Sequence, residues 1–341
     1  MKLSAPDVRI ADVEVCDFGL IPGYDTAAVL RSAMPAEWER YLASAVARRM
    51  IGELGVEHRH LTHLPGTAAD PRRLTAYDLA RSAVARLHAR RGAELAQLDA
   101  LIFVSTSNPH PCNSQAAMLA GEFGFNTSCF DLKAGCSGGV LGLLQGALLI
   151  RAGCERVLVV MAENLSHLTP PDDLRMLLTV GDGAACIMLE RSRGGGFLAM
   201  LHDTEPTFAR AMAVIPSFPP VGPDSRYVYR VRDAAAAGTF LRLQWRALYR
   251  DSLAAAGLAS SDLAHWFFHQ THRAQVDELL GDLAVPPSRT VRVVERYGNM
   301  GTPTFAVAMA QAFGNINPGE RYLLQAVGGG VSWCAIVAEH G

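Results

Sequence analysis

The chain has 341 residues, of which half are apolar and 19% are charged, so the composition is that of a globular protein and excludes a disordered one. Its net charge of −2 gives no reason to expect nucleic acid or an anionic membrane as a partner. The length is too great for one ordinary core and sufficient for two packed halves.

Apolar runs and cysteine usage predict a cytoplasmic protein without a metal site. The longest apolar run, from Val140 to Ile150, is too short to span a bilayer, and no apolar signal core follows Met1. The seven cysteines form an odd set without a C-x-x-C pair. This pattern is typical of a reducing compartment and argues against a disulfide framework and against a zinc site.

Hydrophobic periodicity predicts alternating strands and helices in the first half of the chain. The predicted strands are 9–18, 98–105, 129–132 and 156–161, and the segment 179–190 is predicted to be a turn running into another strand. The predicted helices are 36–49, 75–90, 114–123 and 137–151. We expect a loop at 51–59.

The second half of the chain repeats this order of elements. Its predicted elements are helix 240–256, strand 266–270, helix 274–283, strand 291–294, a corner at 298–301, helix 304–313 and strand 321–327. The segment 206–233 is rich in Pro and Arg and falls between the two repeats. We expect it to be irregular.

The two repeats are offset by about 165 residues. Arg156 and Arg321 each open a buried strand, and Cys136 and Gly301 are the same number of positions apart. The chain therefore reads as two copies of one βαβαβ plan. If the copies pack face to face, their small-residue helices meet in the middle and bring Cys136 and Asn299 together. We expect an N-terminal half at 1–192 and a C-terminal half at 193–341.

Cys136 lies at the corner between a predicted strand and a predicted helix. The helix contains four glycines, at 138, 139, 142 and 146, which lower its propensity and indicate close approach to neighbouring elements. Unpaired N–H groups and the macrodipole at a helix N-terminus favour a thiolate. This position predicts a nucleophile whose thiol pKa is depressed, while a small buried core thiol is the structural alternative.

Four motifs carry a resemblance to a known family. They are Ala134-Gly-Cys-Ser-Gly, His269-Gln-Thr-His, Tyr297-Gly-Asn-Met-Gly and Val327-Gly-Gly-Gly-Val-Ser-Trp. In this order and spacing they resemble the condensing enzymes of the thiolase fold, in particular β-ketoacyl-acyl-carrier-protein synthase III, over nearly the whole chain. The resemblance implies an α/β protein with five layers, αβαβα, built from two similar βαβαβ halves. It also implies a homodimer that pairs through the strand before the nucleophile, with segment 108–115 at the interface.

The resemblance implies that Cys136, His269 and Asn299 are catalytic. Cys136 would take an acyl group from a coenzyme A or carrier-protein thioester, and the N–H groups of Cys136 and Gly329 would form the oxyanion hole. A malonyl-type thioester would then lose CO2. His269 Nε2 and the Asn299 amide would donate hydrogen bonds to the enolate oxygen, and the carbanion would attack the acyl-enzyme. No cofactor is expected apart from coenzyme A or phosphopantetheine thioesters as substrates.

Three departures from the family pattern concern substrate binding. Glu53 stands where an arginine usually contacts coenzyme A, and His272 replaces an asparagine near the pantetheine arm. Cys112 stands where a bulky apolar residue usually reaches across the dimer to the partner's acyl pocket. Gly328 and Gly330 are further substrate-binding candidates. These departures favour a specialised enzyme of secondary-metabolite or fatty-acid biosynthesis.

The carrier is expected to be an acyl carrier protein, a coenzyme A thioester, or both. Acyl carrier protein is acidic, so the candidate contacts are arginines, whose structural alternative is a solvated face. They are Arg226, Arg230, Arg232, Arg242, Arg246 and Arg273.

Alternative functions stay open at this point. An acyltransferase on the same fold could move the acyl group from Cys136 to an alcohol or amine without decarboxylation, although Asn299 favours condensation. Gly135-Cys-Ser-Gly-Gly also resembles the G-x-S-x-G motif of serine hydrolases, with Ser137 as nucleophile. A catalytically inactive partner subunit is the third alternative, but such subunits typically lose the nucleophile.

Overall fold

The computed structural model describes residues 2–68, 73–110, 112–209, 212–215, 228–231, 234–329 and 332–341. The strands in these ranges are β1 (Lys2–Ala5), β2 (Val8–Val15), β3 (Gly23–Asp25), β4 (His58–His60), β5 (Ala100–Val104), β6 (Ser128–Leu132), β7 (Arg156–Asn164), β8 (Asp182–Arg191), β9 (Gly196–Thr204), β10 (Met212–Ile215), β11 (Val228–Val231), β12 (Leu263–Phe268), β13 (Arg321–Val327) and β14 (Ser332–Glu339).

Helices in the same ranges pack against these strands. They are α1 (Thr26–Ala33), α2 (Trp38–Ala43), α3 (Ala45–Leu54), α4 (Ala76–Leu95), α5 (Gln115–Phe123), α6 (Gly138–Arg151), α7 (Leu174–Thr179), α8 (Ala234–Ala256), α9 (Arg273–Asp282), α10 (Val294–Tyr297) and α11 (Thr304–Ala310).

Two five-stranded sheets form the frame of the molecule and match in four strands, while their fifth strands, β6 and β1, lie at opposite edges. Their strand orders are β2-β8-β7-β5-β6 and β1-β9-β14-β13-β12. In the first sheet β5 is parallel to β7, and β7, β8 and β2 are successively antiparallel. In the second sheet β12 is parallel to β13, and β13, β14 and β9 are successively antiparallel. The predicted internal repeat is therefore confirmed.

The repeat is incomplete at one place, and the prediction of a strand at 291–294 is wrong. Residues 291–293 have no regular structure, and α10 begins at Val294. The Gln270 side chain satisfies the backbone here: its Nε2 donates to the Val291 carbonyl, and its Oε1 accepts from the N–H groups of Val293 and Val294. These backbone groups therefore bond to a side chain instead of a neighbouring strand.

Five layers follow from the way the helices cover the sheets. Helices α6 and α11 lie between the two sheets, α4 and α5 cover the outer face of the first sheet, and α8 and α9 cover that of the second. The central helices approach very closely: a Cβ on Gly139 would lie 2.6 Å from the carbonyl oxygen of Thr302, and one on Gly142 would lie 2.9 Å from side chains of β5 and β7. The glycines of α6 permit this contact.

The helix predicted at 36–49 is broken into α2 and α3. Ser44 has extended φ/ψ angles and its hydroxyl caps α3 by accepting the N–H of Ala47. The loop predicted at 51–59 is also wrong in part, because α3 continues to Leu54 and ends at Gly55, whose φ is 63°. Strand β4 follows and pairs with β3.

The segment predicted to be irregular contains an antiparallel ribbon. Strand β10 pairs with β11, so that Met212 faces Val231. The stretch 216–227 lies outside the described residues.

Strand β1 pairs with β9 in the second sheet, and the division of the chain at 192 stays a prediction. In the described ranges no helix is long and apolar enough to cross a membrane.

Candidate active site

The nucleophile corner, residues 134–138, connects β6 to α6. Gly135 has φ 59°, which turns the chain sharply, and residues Gly135–Ser137 form a short 3-10 turn before α6 begins at Gly138. Cys136 as a whole residue is partly exposed on this turn, whereas its sulfur is buried. It therefore precedes the regular helix instead of lying in its first turn.

The glycine loop, residues 328–329, lies directly against the nucleophile corner. A Cβ on Gly328 would be 3.0 Å from the Cys136 nitrogen and 2.9 Å from the Ser137 nitrogen, so no side chain fits there without movement. The N–H groups of Gly329 and of Cys136 itself interact with the Cys136 thiol and lower its pKa. These are the two donors that the sequence predicts for the oxyanion hole. Gly330 lies outside the described residues.

The prediction of a depressed pKa for the Cys136 thiol is wrong. Burial and the negative charge of Glu163 raise this pKa to about 11, against the lowering effect of the two N–H groups. His269 adds no positive charge, since its own pKa is lowered. The resting nucleophile is a neutral thiol at neutral pH.

The Asn299 corner, residues 298–302, is held by its own backbone. Gly298 and Gly301 have φ 72° and 66°, and the Asn299 N–H donates to the Thr179 carbonyl at 2.7 Å. The side-chain Oδ1 of Asn299 accepts the N–H of Gly301 at 3.0 Å. The amide is thereby oriented, and its Nδ2 group is left as a hydrogen-bond donor.

His269 follows β12 and is buried, with 1% of its surface exposed. Burial lowers the pKa of its imidazole to about 4, opposed by a backbone interaction with Gly301. Its backbone N–H donates to the Gln325 carbonyl at 3.0 Å, and within the described part of the chain its side-chain Nδ1 has no hydrogen-bond partner. At neutral pH the ring is a neutral imidazole beside the Asn299 corner.

The corners of the two halves meet around Cys136. The Thr302 carbonyl contacts α6 at Gly139, Gly328 contacts the Cys136 backbone, and His269 interacts with the Gly301 backbone. The structure therefore brings a thiol, two backbone N–H groups, an oriented amide and a neutral imidazole into one region. This collection suits a reaction in which negative charge develops on a carbonyl oxygen.

Ser137 is buried and participates in a different set of contacts. Its hydroxyl donates to the Ala134 carbonyl at 3.0 Å and shares a 2.6 Å hydrogen bond with the Ser332 hydroxyl. These partners connect the nucleophile corner to the start of β14. They do not provide the histidine base that a serine nucleophile requires.

The three residues that depart from the family pattern lie on three different elements: Glu53 on α3, Cys112 before α5 and His272 at the start of α9. His272 caps α9 by accepting the N–H of Gln275, and burial with the nearby Arg175 lowers its pKa to about 4. Glu53 forms an ion pair with Arg49 along α3, and Cys112 is exposed.

The candidate arginines are partly occupied by contacts within the chain. Arg230 pairs with Asp172, and Arg246 pairs with Glu278 and Asp282. Arg273 donates to the Gly52 carbonyl. Arg226 and Arg232 lie outside the described residues.

Two residues near Cys136 were not predicted. Glu163 is the second-last residue of the buried strand β7, and its charge raises the pKa of the Cys136 thiol. An acidic residue close to the end of a buried strand was the sequence signal that could have identified Glu163. Tyr229 on β11 has a raised pKa because of burial and the charges of Cys136 and Glu163. No sequence pattern marked it.

Comparisons with known proteins identify the family of the chain. One family model, described as 3-Oxoacyl-[acyl-carrier-protein (ACP)] synthase III, matches residues 130–206, and its C-terminal counterpart matches residues 253–340. The chain is similar to Beta-ketoacyl-[acyl-carrier-protein] synthase III 2 of Streptomyces coelicolor, at 30% identity over 82% of this chain and 81% of that protein. It is equally similar to Acetoacetyl CoA synthase NphT7 of a Streptomyces species, at 30% identity over 82% of this chain and 89% of that protein.

The fold comparison leads to the same group of proteins. The crystal structure of β-ketoacyl-[acyl carrier protein] synthase III from Thermus thermophilus matches with a TM-score of 0.81 and 25% identity. The match covers 97% of this chain and 99% of that one. The predicted five-layered thiolase fold is confirmed.

Proposed function

Since the chain belongs to the β-ketoacyl-[acyl-carrier-protein] synthase III family, whose members are acyltransferases that form carbon–carbon bonds, we propose that Cys136, His269 and Asn299 carry out its reaction. The observation that supports this assignment most strongly is the orientation of Asn299. Its Oδ1 accepts the Gly301 N–H, so its Nδ2 donor is fixed in the region where the two halves meet. An acyl transfer without an enolate has no need of such a donor.

The first step transfers an acyl group to the enzyme. Cys136 Sγ attacks the carbonyl carbon of an acyl thioester, a new carbon–sulfur bond forms, and the bond to the donor thiol breaks. The thiol proton ends on the departing thiol. The N–H groups of Gly329 and Cys136 stabilise the oxyanion, and their interaction with the sulfur supports this role.

The second step is a decarboxylative condensation with a malonyl-type thioester. The bond to the carboxylate carbon breaks, CO2 leaves, and the electron pair forms an enolate. Asn299 and His269 donate hydrogen bonds to the enolate oxygen. Both are neutral donors, because burial lowers the pKa of His269 to about 4, and neither readily protonates the carbanion.

The carbanion then attacks the acyl-enzyme. A carbon–carbon bond forms, the carbon–sulfur bond to Cys136 breaks, and the β-ketoacyl thioester leaves. Cys136 departs as a thiolate and takes up a proton from solvent. The raised pKa of its thiol, about 11, favours this return to the neutral form.

The donor is a phosphopantetheine thioester on a carrier protein in preference to a coenzyme A thioester. Glu53 places a carboxylate at the position where the family resemblance implies a cation for coenzyme A, and it is exposed beside Arg49. Coenzyme A carries several phosphate charges, which a carboxylate repels. A specialised biosynthetic pathway fits this substitution better than the initiation of ordinary fatty-acid synthesis.

A homodimer would pair through β6. This strand is at the end of its sheet, with β5 as its neighbour on one side. An unpaired strand edge is a template for a second strand. Sedimentation at micromolar concentration should give twice the mass of the chain, and a fully active monomer would contradict the dimer.

Asn299→Ala is the experiment that tests condensation. The acyl-enzyme should still form on addition of an acyl thioester, as seen by intact mass. Release of CO2 from malonyl thioester and formation of β-keto product should fall about a hundredfold or more, because one donor to a developing buried charge is lost. The matched control is Asn315→Ala, an exposed asparagine in the same half of the chain.

Two results would overturn the proposal. If wild-type protein never consumes malonyl groups, or if Asn299→Ala transfers acyl groups to an alcohol or amine at the wild-type rate, the reaction is acyl transfer without condensation. A separate comparison tests the donor: Glu53→Arg should raise kcat/KM for acyl-coenzyme A relative to the carrier-protein thioester. If the ratio of the two kcat/KM values does not change, Glu53 does not select the carrier-protein thioester over acyl-coenzyme A.

A further inference from the structure

Glu163 is a fully buried carboxylate close to the candidate nucleophile. It lies near the end of β7 and accepts hydrogen bonds from hydroxyl and backbone N–H groups. The donors are the Thr106 N–H at 3.0 Å and hydroxyl at 2.9 Å, the Ser107 N–H at 3.1 Å and hydroxyl at 2.5 Å, the Ser105 hydroxyl at 3.4 Å and the Thr302 hydroxyl at 3.1 Å. A buried carboxylate held by so many donors is a built feature of the site.

These donors come from both halves of the molecule. Thr106 and Ser107 follow β5 in the first half, whereas Thr302 belongs to the Asn299 corner of the second half. Glu163 also supports Gly301, since a Cβ on that residue would lie 3.1 Å from Glu163 Cγ. Gly301 in turn donates its N–H to Asn299 Oδ1. A continuous set of contacts therefore runs from Glu163 to the Asn299 amide.

The same carboxylate is connected to the nucleophile corner through Thr302, whose hydroxyl bonds to Glu163 and whose methyl carbon would lie 3.6 Å from a Cβ on Gly138. Its charge raises the pKa of the Cys136 thiol, and that of Tyr229 as well. The other groups around the sulfur are the N–H groups of Gly329 and Cys136, which act in the opposite direction, and Tyr229 on β11. His269 is neutral at neutral pH because burial lowers its pKa to about 4. Among the described residues, Glu163 is the carboxylate whose charge acts on Cys136; burial raises the pKa of Glu163 itself, against the lowering effect of its hydrogen bonds from Ser107, Thr106 and Thr302.

We propose that Glu163 is a positioning residue that orients the Asn299 donor and sets the charge around Cys136. The proposal rests on the proposed function in assigning a purpose to Asn299, but its electrostatic half does not need a substrate. A negative charge beside the resting thiol keeps it neutral and protects it from oxidation, because the thiolate is the reactive form.

The test combines two readouts on Glu163→Gln. The first is the rate of alkylation of Cys136 by iodoacetamide as a function of pH, followed by peptide mapping. Loss of the negative charge should shift this profile to lower pH and raise the rate at pH 7.5 by about tenfold for each unit of pKa change. The second is CO2 release from malonyl thioester relative to acyl-enzyme formation, which should fall because the Asn299 corner loosens.

Three further variants separate the two roles. Glu163→Asp keeps the charge with a shorter side chain, so the alkylation profile should stay near that of wild type while CO2 release falls. Thr302→Val removes one hydrogen bond to Glu163 and should lower CO2 release without shifting the profile. Asp182→Asn is the matched control, since Asp182 is equally buried but bonds to Thr62 and Ser166. It should leave the alkylation profile of Cys136 unchanged.

The outcomes distinguish this proposal from the proposed function. An alkylation profile that does not move in folded Glu163→Gln, or that moves equally in Asp182→Asn, overturns the electrostatic role. Should Glu163→Gln fail to fold, unchanged CO2 release in Thr302→Val overturns the orienting role. If wild-type protein releases no CO2 at all, condensation is wrong, and the alkylation profile still decides the role of Glu163 at Cys136.

Discussion

The nucleophile corner and the Asn299 corner occupy equivalent places in the two halves, but their side chains are held in different ways. Cys136 lies on a 3-10 turn after Gly135, and the neighbouring N–H groups interact with its sulfur. Asn299 lies between Gly298 and Gly301, and its own side chain bonds back to the corner.

This difference shows how a duplicated scaffold can divide its chemistry. The first copy presents an attacking atom, which must form and break a covalent bond. The second copy presents a fixed dipole, which must not move when charge develops. Glycines are needed in both corners, for close approach at Gly328 and Gly139 and for positive φ at Gly135, Gly298 and Gly301.

The largest expected effect separates the two corners completely. Cys136→Ala removes the atom that attacks, so acyl-enzyme should be undetectable and condensation should fall by on the order of 10⁴-fold or more. Intact mass after incubation with an acyl thioester provides the measurement, and Cys112→Ala provides the control, because Cys112 is exposed on another loop. Acylation that persists in Cys136→Ala and disappears in Cys112→Ala would reverse the assignment.

Close approach between the halves can be tested at Gly328. A Cβ there would lie 3.0 Å from the Cys136 nitrogen, so Gly328→Ala should displace the glycine loop and weaken the oxyanion donors. We expect acylation to slow by about a hundredfold, similar to the loss of one oxyanion donor. Gly314→Ala is the matched control, since no heavy atom lies within 4 Å of its Cβ position. Equal rates in both variants would contradict the contact.

The order of strands and helices and the internal repeat could be predicted from the sequence. The reason is that both central helices are apolar and small, and buried strands are continuous apolar runs such as that of β5. The strand expected at 291–294 failed because a side chain from another segment, Gln270, satisfies that backbone. Such a contact between distant residues leaves no periodicity in the local sequence.

The site could be predicted in its residue types but not in its electrostatics. The corner placement of Cys136 suggested a stabilised thiolate, yet the sulfur is buried beside Glu163, which is 27 positions away in the sequence. Burial and a distant carboxylate are properties of the folded chain. Local helix arguments consequently gave the wrong sign for the pKa shift.

The buried imidazole of His269 should make the folded protein less stable in acid. The pKa of His269 is about 4 in the folded state and 6.5 in the unfolded state. Between pH 4 and pH 6.5 the unfolded chain therefore binds a proton at this residue and the folded chain does not. The stability from the neutral ring is complete above pH 6.5 and is lost as the pH falls to 4. This loss amounts to roughly 3 kcal/mol.

Urea unfolding at pH 7 and pH 4.5 measures this contribution. Wild type should lose more free energy of unfolding between the two pH values than His269→Gln, which has no ring to protonate. His88→Gln is the control, because His88 is exposed on α4. Equal pH dependence in wild type and His269→Gln would mean that the imidazole is not buried as described.

The smallest expected effect concerns the hydroxyl pair that connects the nucleophile corner to β14. Ser137 shares a 2.6 Å hydrogen bond with Ser332, and both bond to the Ala134 carbonyl. In Ser137→Ala the hydroxyl and its hydrogen bonds are lost at a fully buried position, which should lower the free energy of unfolding by about 1 kcal/mol. Acylation of Cys136 should continue within a few-fold of the wild-type rate, since the attacking sulfur and both oxyanion N–H groups are retained. A Ser137 nucleophile requires the opposite result, complete loss of covalent acylation with Cys136 still present. Intact mass and peptide mapping of Ser137→Ala after incubation with an acyl thioester therefore decide between the two neighbouring residues.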